Sequence, residues 1–156
     1  MKALDKIDRN ILRTLQTQGR MSNVALSEAV HLSPTPCLDR VRRLERDGYI
    51  QGYEARLSAS HLGSAFVTFM SVSLHLTNED SFSAFAKAIA GFPEVAECHM
   101  VGGGFDYLLK IRTADMPEFR RFMAEKISVL PQVAQTHSYF VMEEIKNDPH
   151  ITVPEA

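Results

Sequence analysis

Cysteine is scarce: Cys37 and Cys98 are the two in 156 residues. They are too few for a disulfide framework and show no C-x-x-C spacing, which favours a reducing compartment over secretion. No run of about 18 apolar residues occurs, so no segment reads as a membrane-spanning helix. The first nine residues are charged from Lys2 onward and lack the apolar centre of a signal peptide, so a cytoplasmic protein without a membrane partner is expected. His31, His61, His75, His99, His137 and His150 show neither H-x-x-x-H nor H-E-x-x-H spacing, and no metal site is expected. Gly102-Gly103-Gly104 does not satisfy G-x-G-x-x-G and joins strand to strand, so a dinucleotide loop is not expected either. No nucleophile stands beside a base partner. Cys37 reads as a small packed residue rather than a reactive thiol.

What is present is an ordinary globular balance, 45% hydrophobic and 23% charged, with a net charge of −2. That average conceals an asymmetry. Residues 1–50 hold nine Lys or Arg against six Asp or Glu, a net of +3, and the remainder holds eight against thirteen, a net of −5. A basic front and an acidic back suggest two modules with different partners. Each module is small enough to have a thin core and to lean on oligomerisation.

In the front module, Leu4, Ile7, Ile11, Leu12 and Leu15 recur at helical spacing between an Asp5 N-cap and a Gly19 stop. Ser22 can cap a second short helix that carries Val24, Leu26 and Ala29 and ends at Val30-His31-Leu32. Ser33-Pro34 opens a third, in which Pro34 and Pro36 fit the first turn because their missing N–H groups would lack partners there anyway. That helix turns Leu38, Val41 and Leu44 inward and stops at Asp47-Gly48. A tight turn before a proline-opened, arginine-rich helix is a helix-turn-helix, whose last helix enters the major groove of double-stranded DNA. Ser33, Thr35, Pro36, Asp39, Arg40 and Arg43 are then placed for base contact, Arg42 and Arg46 for phosphates, and Ser22 and Asn23 for phosphate at a helix N-terminus.

Residues 49–57 alternate as a strand and 58–63 read as a hinge. Beyond lie a strand over 65–76, a helix capped by Asn78, strands over 95–101 and 105–113, a helix opened by an Asp115/Glu118 capping box, and a strand over 133–145. This order is the ferredoxin-like βαββαβ pattern. The expected class is α+β: a winged-type helix-turn-helix domain over 1–50, a strand and hinge linker over 51–63, a ferredoxin-like domain over 64–146 and a tail over 147–156. In the first strand, Phe66, Met70, Val72, Leu74 and Leu76 share the helix-covered face, while Val67 and Phe69, joined by Leu108 and Phe140, point away. Apolar residues on a bare sheet face imply a second sheet, most economically from an identical chain.

Several segments carry more than periodicity. Asn10-Ile11-Leu12, Ser22-Asn23-Val24, Leu32-Ser33-Pro34-Thr35-Pro36-Cys37-Leu38, Arg40-Val41-Arg42-Arg43-Leu44-Glu45 and Gly48-Tyr49-Ile50-Gln51-Gly52-Tyr53 resemble the Lrp/AsnC family of bacterial feast/famine transcription regulators. The resemblance returns in Glu97-Cys98-His99-Met100-Val101, Phe105-Asp106-Tyr107-Leu108-Leu109-Lys110 and Val141-Met142-Glu143-Glu144, and is similar to the leucine-responsive branch. It implies an amino-acid effector, leucine in that branch, no other cofactor, no enzymatic activity, and a homo-dimer assembling further to an octamer. Carried over residue by residue, its effector positions fall on Met100, Asp106, Met116, Tyr139, Phe140 and Val141, with the loop Gly102, Gly103 and Gly104. Asp106 can pair with an α-ammonium, the loop N–H groups with a carboxylate, and the apolar residues with a side chain. Two departures stand out. His31 replaces the usual turn glycine at a position that wants positive φ, and Gly102 and Gly104 replace residues with side chains. The alternatives are a local regulator sensing proline, alanine or a branched-chain compound, and, from a fold that hosts many activities, a small-molecule enzyme.

Overall fold

The computed structural model describes residues 3–155. The chain divides into two compact units: one runs up to Arg56 and takes in the tail from Lys146, and the other spans Leu57–Ile145. The tail thus groups by its contacts with the first unit.

The first unit holds α1 (Lys6–Thr17), α2 (Asn23–Ala29) and α3 (Pro34–Arg46). Asp5 caps α1 in a full capping box with Asp8: the Asp5 carboxylate accepts the Asp8 N–H and the Asp8 carboxylate accepts the Asp5 N–H. Ile11, Leu26, Val30, Cys37 and Leu44 form the buried core. Within α2 the inward residues are Leu26 and Ser27, whereas Val24 and Ala29 face solvent. Seven residues make barely two turns, and the inward face is set by how α2 meets α1 and α3 rather than by its own pattern. Residues 49–57 form no ladder, contrary to the expected strand, because no neighbouring strand pairs with them.

The second unit holds β1 (Phe66–Leu74), α4 (Glu79–Ile89), β2 (Val95–Met100), β3 (Tyr107–Thr113), α5 (Met116–Phe122) continuing into a π-helical turn (Met123–Ile127), and β4 (Val133–Phe140). The antiparallel sheet runs β2-β3-β1-β4. Met70, Val72, Leu109, Ile111, Phe85 and Ile127 are fully buried or nearly so at the centre of the core. Strand β4 stops at Phe140, five residues short of the expected end: its register with β1 ends at the pair Thr68 and Phe140, and only the Val141 N–H, on the Val67 carbonyl, follows. On the opposite sheet face Phe69 lies across from Lys110 and Tyr139, and Ser71 across from Leu108 and His137. Phe140 is not on that face: it lies across from Thr68 and packs its ring on Phe66 and Phe119 at 5.7 and 5.4 Å, among the helices. Among the described residues no helix is long and apolar enough to cross a membrane.

Candidate nucleic-acid interface and effector site

The turn between α2 and α3 is built around His31, at φ 57° the one non-glycine residue with positive φ among those described. The Leu32 N–H closes the turn on the Ser27 carbonyl at 2.8 Å. Ser22 caps α2 by accepting the Ala25 N–H at 3.2 Å. Asn23 does not stand free for phosphate: its side-chain amide donates to the Pro34 carbonyl at 2.8 Å and fastens the start of α2 to the first turn of α3. Ser33 is the N-cap residue of α3, yet its hydroxyl makes no capping bond, so it remains available to a ligand.

On α3, Thr35, Asp39, Arg42 and Arg46 are exposed and recur at offsets of 4, 3 and 4, which puts them in one stripe along the helix. Pro36 is exposed beside it. Arg40 and Arg43 depart from the base-reading role expected of them. Arg40 pairs with Asp5 at 2.6 Å and Asp8 at 2.7 Å, and Arg43 pairs with Asp8 at 2.5 Å. The Asp8 side chain is 1% exposed, and a carboxylate removed from water is tolerated only when paired and hydrogen-bonded. Two guanidinium groups supply that pairing, so they are drawn onto α1 and away from the exposed stripe. The Asp8 N–H and the Arg40 guanidinium together hold the Asp5 carboxyl down at about 2, against some opposing burial. The same pairing raises Arg40 further above its ordinary value. Burial pushes the Cys37 thiol up, consistent with packing rather than reactivity.

The effector candidates divide into two groups. Met100 ends β2, Gly102, Gly103 and Gly104 form the loop that follows, and Asp106 precedes β3. Asp106 is fixed there by the Leu74 N–H donating to its carboxylate at 2.7 Å and by its own N–H donating to the Val72 carbonyl at 2.9 Å. Tyr139, Phe140 and Val141 lie at the other end of β1, with Phe140 across from Thr68 and the Val141 N–H donating to the Val67 carbonyl at 3.0 Å. Met116 opens α5 just past Thr113, which lies across from Phe66, and so joins this second group. From Val67 to Leu74 the strand extends about 23 Å, several times the length of an amino acid. One protomer therefore does not bring the nine residues together.

Beside the first group, a crevice of about 760 Å³ lies between α4 and the β2 edge. Phe82, Ala86, Cys98 and Met100 give it apolar walls, and Tyr107 also lines it. Tyr107 is 3% exposed, and its hydroxyl pKa is raised by burial and by the nearby Cys98 and Asp106. Among the described residues no group of three His, Cys, Asp or Glu side chains is placed to hold a metal ion.

Residues 4–51 match the winged helix-turn-helix DNA-binding family and residues 67–151 match the Lrp/AsnC ligand binding domain. The chain belongs to the Lrp/AsnC family. It is 49% identical over 152 residues to the leucine-responsive regulatory proteins of Escherichia coli K12 and Klebsiella pneumoniae, covering 97% of this chain and 93% of each of theirs. Among solved structures, a transcriptional regulator of Neisseria meningitidis in complex with L-Met superposes with a TM-score of 0.92 at 37% identity, over 96% of this chain and 97% of that one. An AsnC-family transcriptional regulator of Agrobacterium tumefaciens gives 0.91 at 30% identity, over 96% and 97%. An Lrp/AsnC member thus joins a DNA-binding module to a ligand-binding module, as the basic front and acidic back suggest. Sequence reasoning missed Asp5 and Asp8 as partners of α3. Their signal was two acids three residues apart at the start of a helix in an otherwise basic segment.

Proposed function

We propose that this chain is a sequence-specific, amino-acid-responsive DNA-binding transcription regulator of the leucine-responsive type, controlling genes of amino-acid metabolism in the cytoplasm, and not an enzyme. The observation that carries the reading is the exposed stripe Thr35, Asp39, Arg42 and Arg46 on a helix held to α1 by ion pairs to the buried Asp8 carboxylate. A helix so held can enter the major groove without reorganising. Ser33, Thr35, Pro36 and Asp39 lie in its N-terminal half, the part that reaches base edges, and Asp39 can accept from a cytosine amine. Arg42 and Arg46 meet phosphates and supply affinity that falls with salt. Two half-sites are presented by a homo-dimer, which assembles further to an octamer.

The effector is a free amino acid, leucine first. The two groups of effector residues act together only when a second copy brings the Met100–Asp106 end of one protomer near the Tyr139–Val141 end of another. A ligand bound at such a junction changes the assembly by its differential affinity for the states it joins. The crevice beside Met100 suits an apolar side chain, and Asp106, the residue before the crevice-lining Tyr107, would take the ammonium group. A local regulator tuned to proline, alanine or a branched-chain compound is the second reading. It is favoured by one observation: a Cβ at Gly102 or Gly104 would meet nothing within 4 Å, so a side chain fits there and its absence alters what the loop can grip.

Thermal stability across the twenty amino acids tests both readings. A ligand at a hundred times its Kd stabilises by about 2.7 kcal/mol. A shift confined to leucine and methionine supports the leucine-responsive reading, a shift with proline or alanine alone supports the local regulator, and no shift removes amino-acid sensing.

A further inference from the structure

The carboxy-terminal tail is docked on the DNA-binding unit through contacts that neither DNA reading nor effector binding uses. Gln16 on α1 grips the tail backbone with both ends of its side-chain amide. Its Oε1 accepts the Ile151 N–H at 2.8 Å and its Nε2 donates to the Ile151 carbonyl at 3.1 Å. One turn earlier, Arg13 donates to the Val153 carbonyl at 3.1 Å and lies 3.4 Å from the Glu155 carboxylate. The His150 ring bridges the Gln16 carbonyl at 2.7 Å and the Asp148 carboxylate at 2.8 Å. Beneath the tail runs a groove of about 830 Å³ walled by Leu12, Leu15, Tyr49, Ile50 and Tyr53.

The docking is specific but light. Val153 is half-buried, whereas Ile151 is 76% exposed. The tail forms no helix or strand, and its hold consists of polar contacts at the surface, each of which exchanges with water at small net cost. A segment held this way has two accessible states, docked and released. Its connections give those states a consequence. Residues 142–147 alone separate Val141, an effector candidate, from Asp148, and the Arg56 guanidinium donates to the Asn147 carbonyl at 3.0 Å where the chain enters the tail. Fully extended, that link reaches at most about 25 Å. At the other end α1 carries Asp5 and Asp8, which hold Arg40 and Arg43 of the recognition helix.

We propose that residues 148–155 are a regulatory strap: docked on Gln16 and Arg13 they relay the state of the effector-binding unit to the recognition helix, and release uncouples the two. The relay rests on the effector reading above; the docking does not. Movement at the β4 end is transmitted through a short link to α1, and from α1 to α3 through the ion pairs of Asp5 and Asp8 with Arg40 and Arg43. This supplies the two-state element, biased by both sites, that a physical account of coupling requires.

The test uses the full-length chain, with L-leucine and L-methionine as probes. Operator affinity is measured with and without each, and exchange of the Ile151 amide hydrogen reports docking. Coupled sites change each other's affinity by about 5- to 150-fold. The proposal expects a protected Ile151 amide and a response in that range for the native chain. In Gln16→Ala it expects rapid Ile151 exchange, effector-free operator affinity within about threefold of native, and an effector response below about twofold. Ile151→Pro removes the donor to Gln16 from the tail side and leaves the helix-turn-helix sequence intact; having no amide hydrogen at 151, it is read by DNA binding alone, and should show the same effector-free affinity and the same lost effector response. Rapid Ile151 exchange in the native chain overturns the docking. A full effector response in both released variants overturns the strap alone. Loss of effector-free DNA binding in both makes the tail part of the DNA-binding fold and overturns the relay. A native chain that answers neither probe overturns the effector reading and the relay together, while Ile151 protection still decides docking.

Discussion

The two units are stabilised by different physics. The DNA-binding unit buries five hydrophobic residues and sets a buried carboxylate, Asp8, between two arginines. The effector-binding unit buries twelve hydrophobic residues among those described, eleven of them in one cluster with Val67 apart, and the polar residues it buries, Thr68, Ser71 and Thr113, are uncharged. A small three-helix core cannot fix the angle of its last helix by apolar contact alone, and the ion pairs supply the missing constraint. The sheet needs no such device, since each strand of its ladder is positioned by its neighbour. Electrostatic perturbation should therefore strike the first unit and cavity formation the second.

Asp8→Ala is the sharpest challenge to that contrast. It leaves Arg43 without its acid and Arg40 with Asp5 alone, and should destabilise the DNA-binding unit by about 3 kcal/mol, with loss of operator binding. Urea unfolding followed by residue-resolved hydrogen exchange would show whether the effector-binding unit is spared. In that second unit Phe85→Ala removes a fully buried ring stacked 4.5 Å from Tyr107, and should cost about 3–5 kcal/mol. A loss that spread equally to α1–α3 would contradict the division into two units.

Arg42→Ala should weaken operator and random DNA alike and lower the salt slope by about one, measured by titration at several salt concentrations. Arg43→Ala should instead destabilise the helical unit, because its guanidinium serves Asp8. An Arg43 variant of native stability with altered base preference would restore a base-reading role. Acid should act on the same network. Asp5 is depressed to about 2 from an ordinary 3.8, so its contribution is present above pH 4 and is lost as pH falls from 4 to 2. Asp5→Asn should flatten that part of the acid-unfolding curve. The smallest effect belongs to His31→Gly: relief of a left-handed conformation outweighs glycine's greater freedom when unfolded, for a gain of up to about 1 kcal/mol in thermal unfolding.

Much of the architecture was legible because its signals are local. Asp5, Ser22, Asn78 and Asp115 each cap a helix as their spacing from the next N–H donor requires, and His31 adopts the positive φ that its place in the turn demands. The alternation of β1 correctly assigned Met70, Val72 and Leu74 to the core. What failed involved partners distant in sequence. An arginine on a basic helix looks alike whether it meets DNA or an aspartate 35 residues earlier, as Arg40 does. The strand expected over 49–57 had the pattern of a strand but no partner within the chain. Phe140 changed faces because register with Thr68, not composition, decides which way it points.

By itself the sequence determined the helix-turn-helix, the order of strands and helices and membership of the Lrp/AsnC family, since caps, turns and periodicity act over a few residues. Only the tertiary structure decided that Arg40 and Arg43 belong to Asp8, that the effector candidates lie at opposite ends of a strand, and that the tail returns to Gln16. Those outcomes depend on which groups desolvate together across long stretches of chain, and a local pattern, even the paired acids Asp5 and Asp8, does not say which distant partner each group meets.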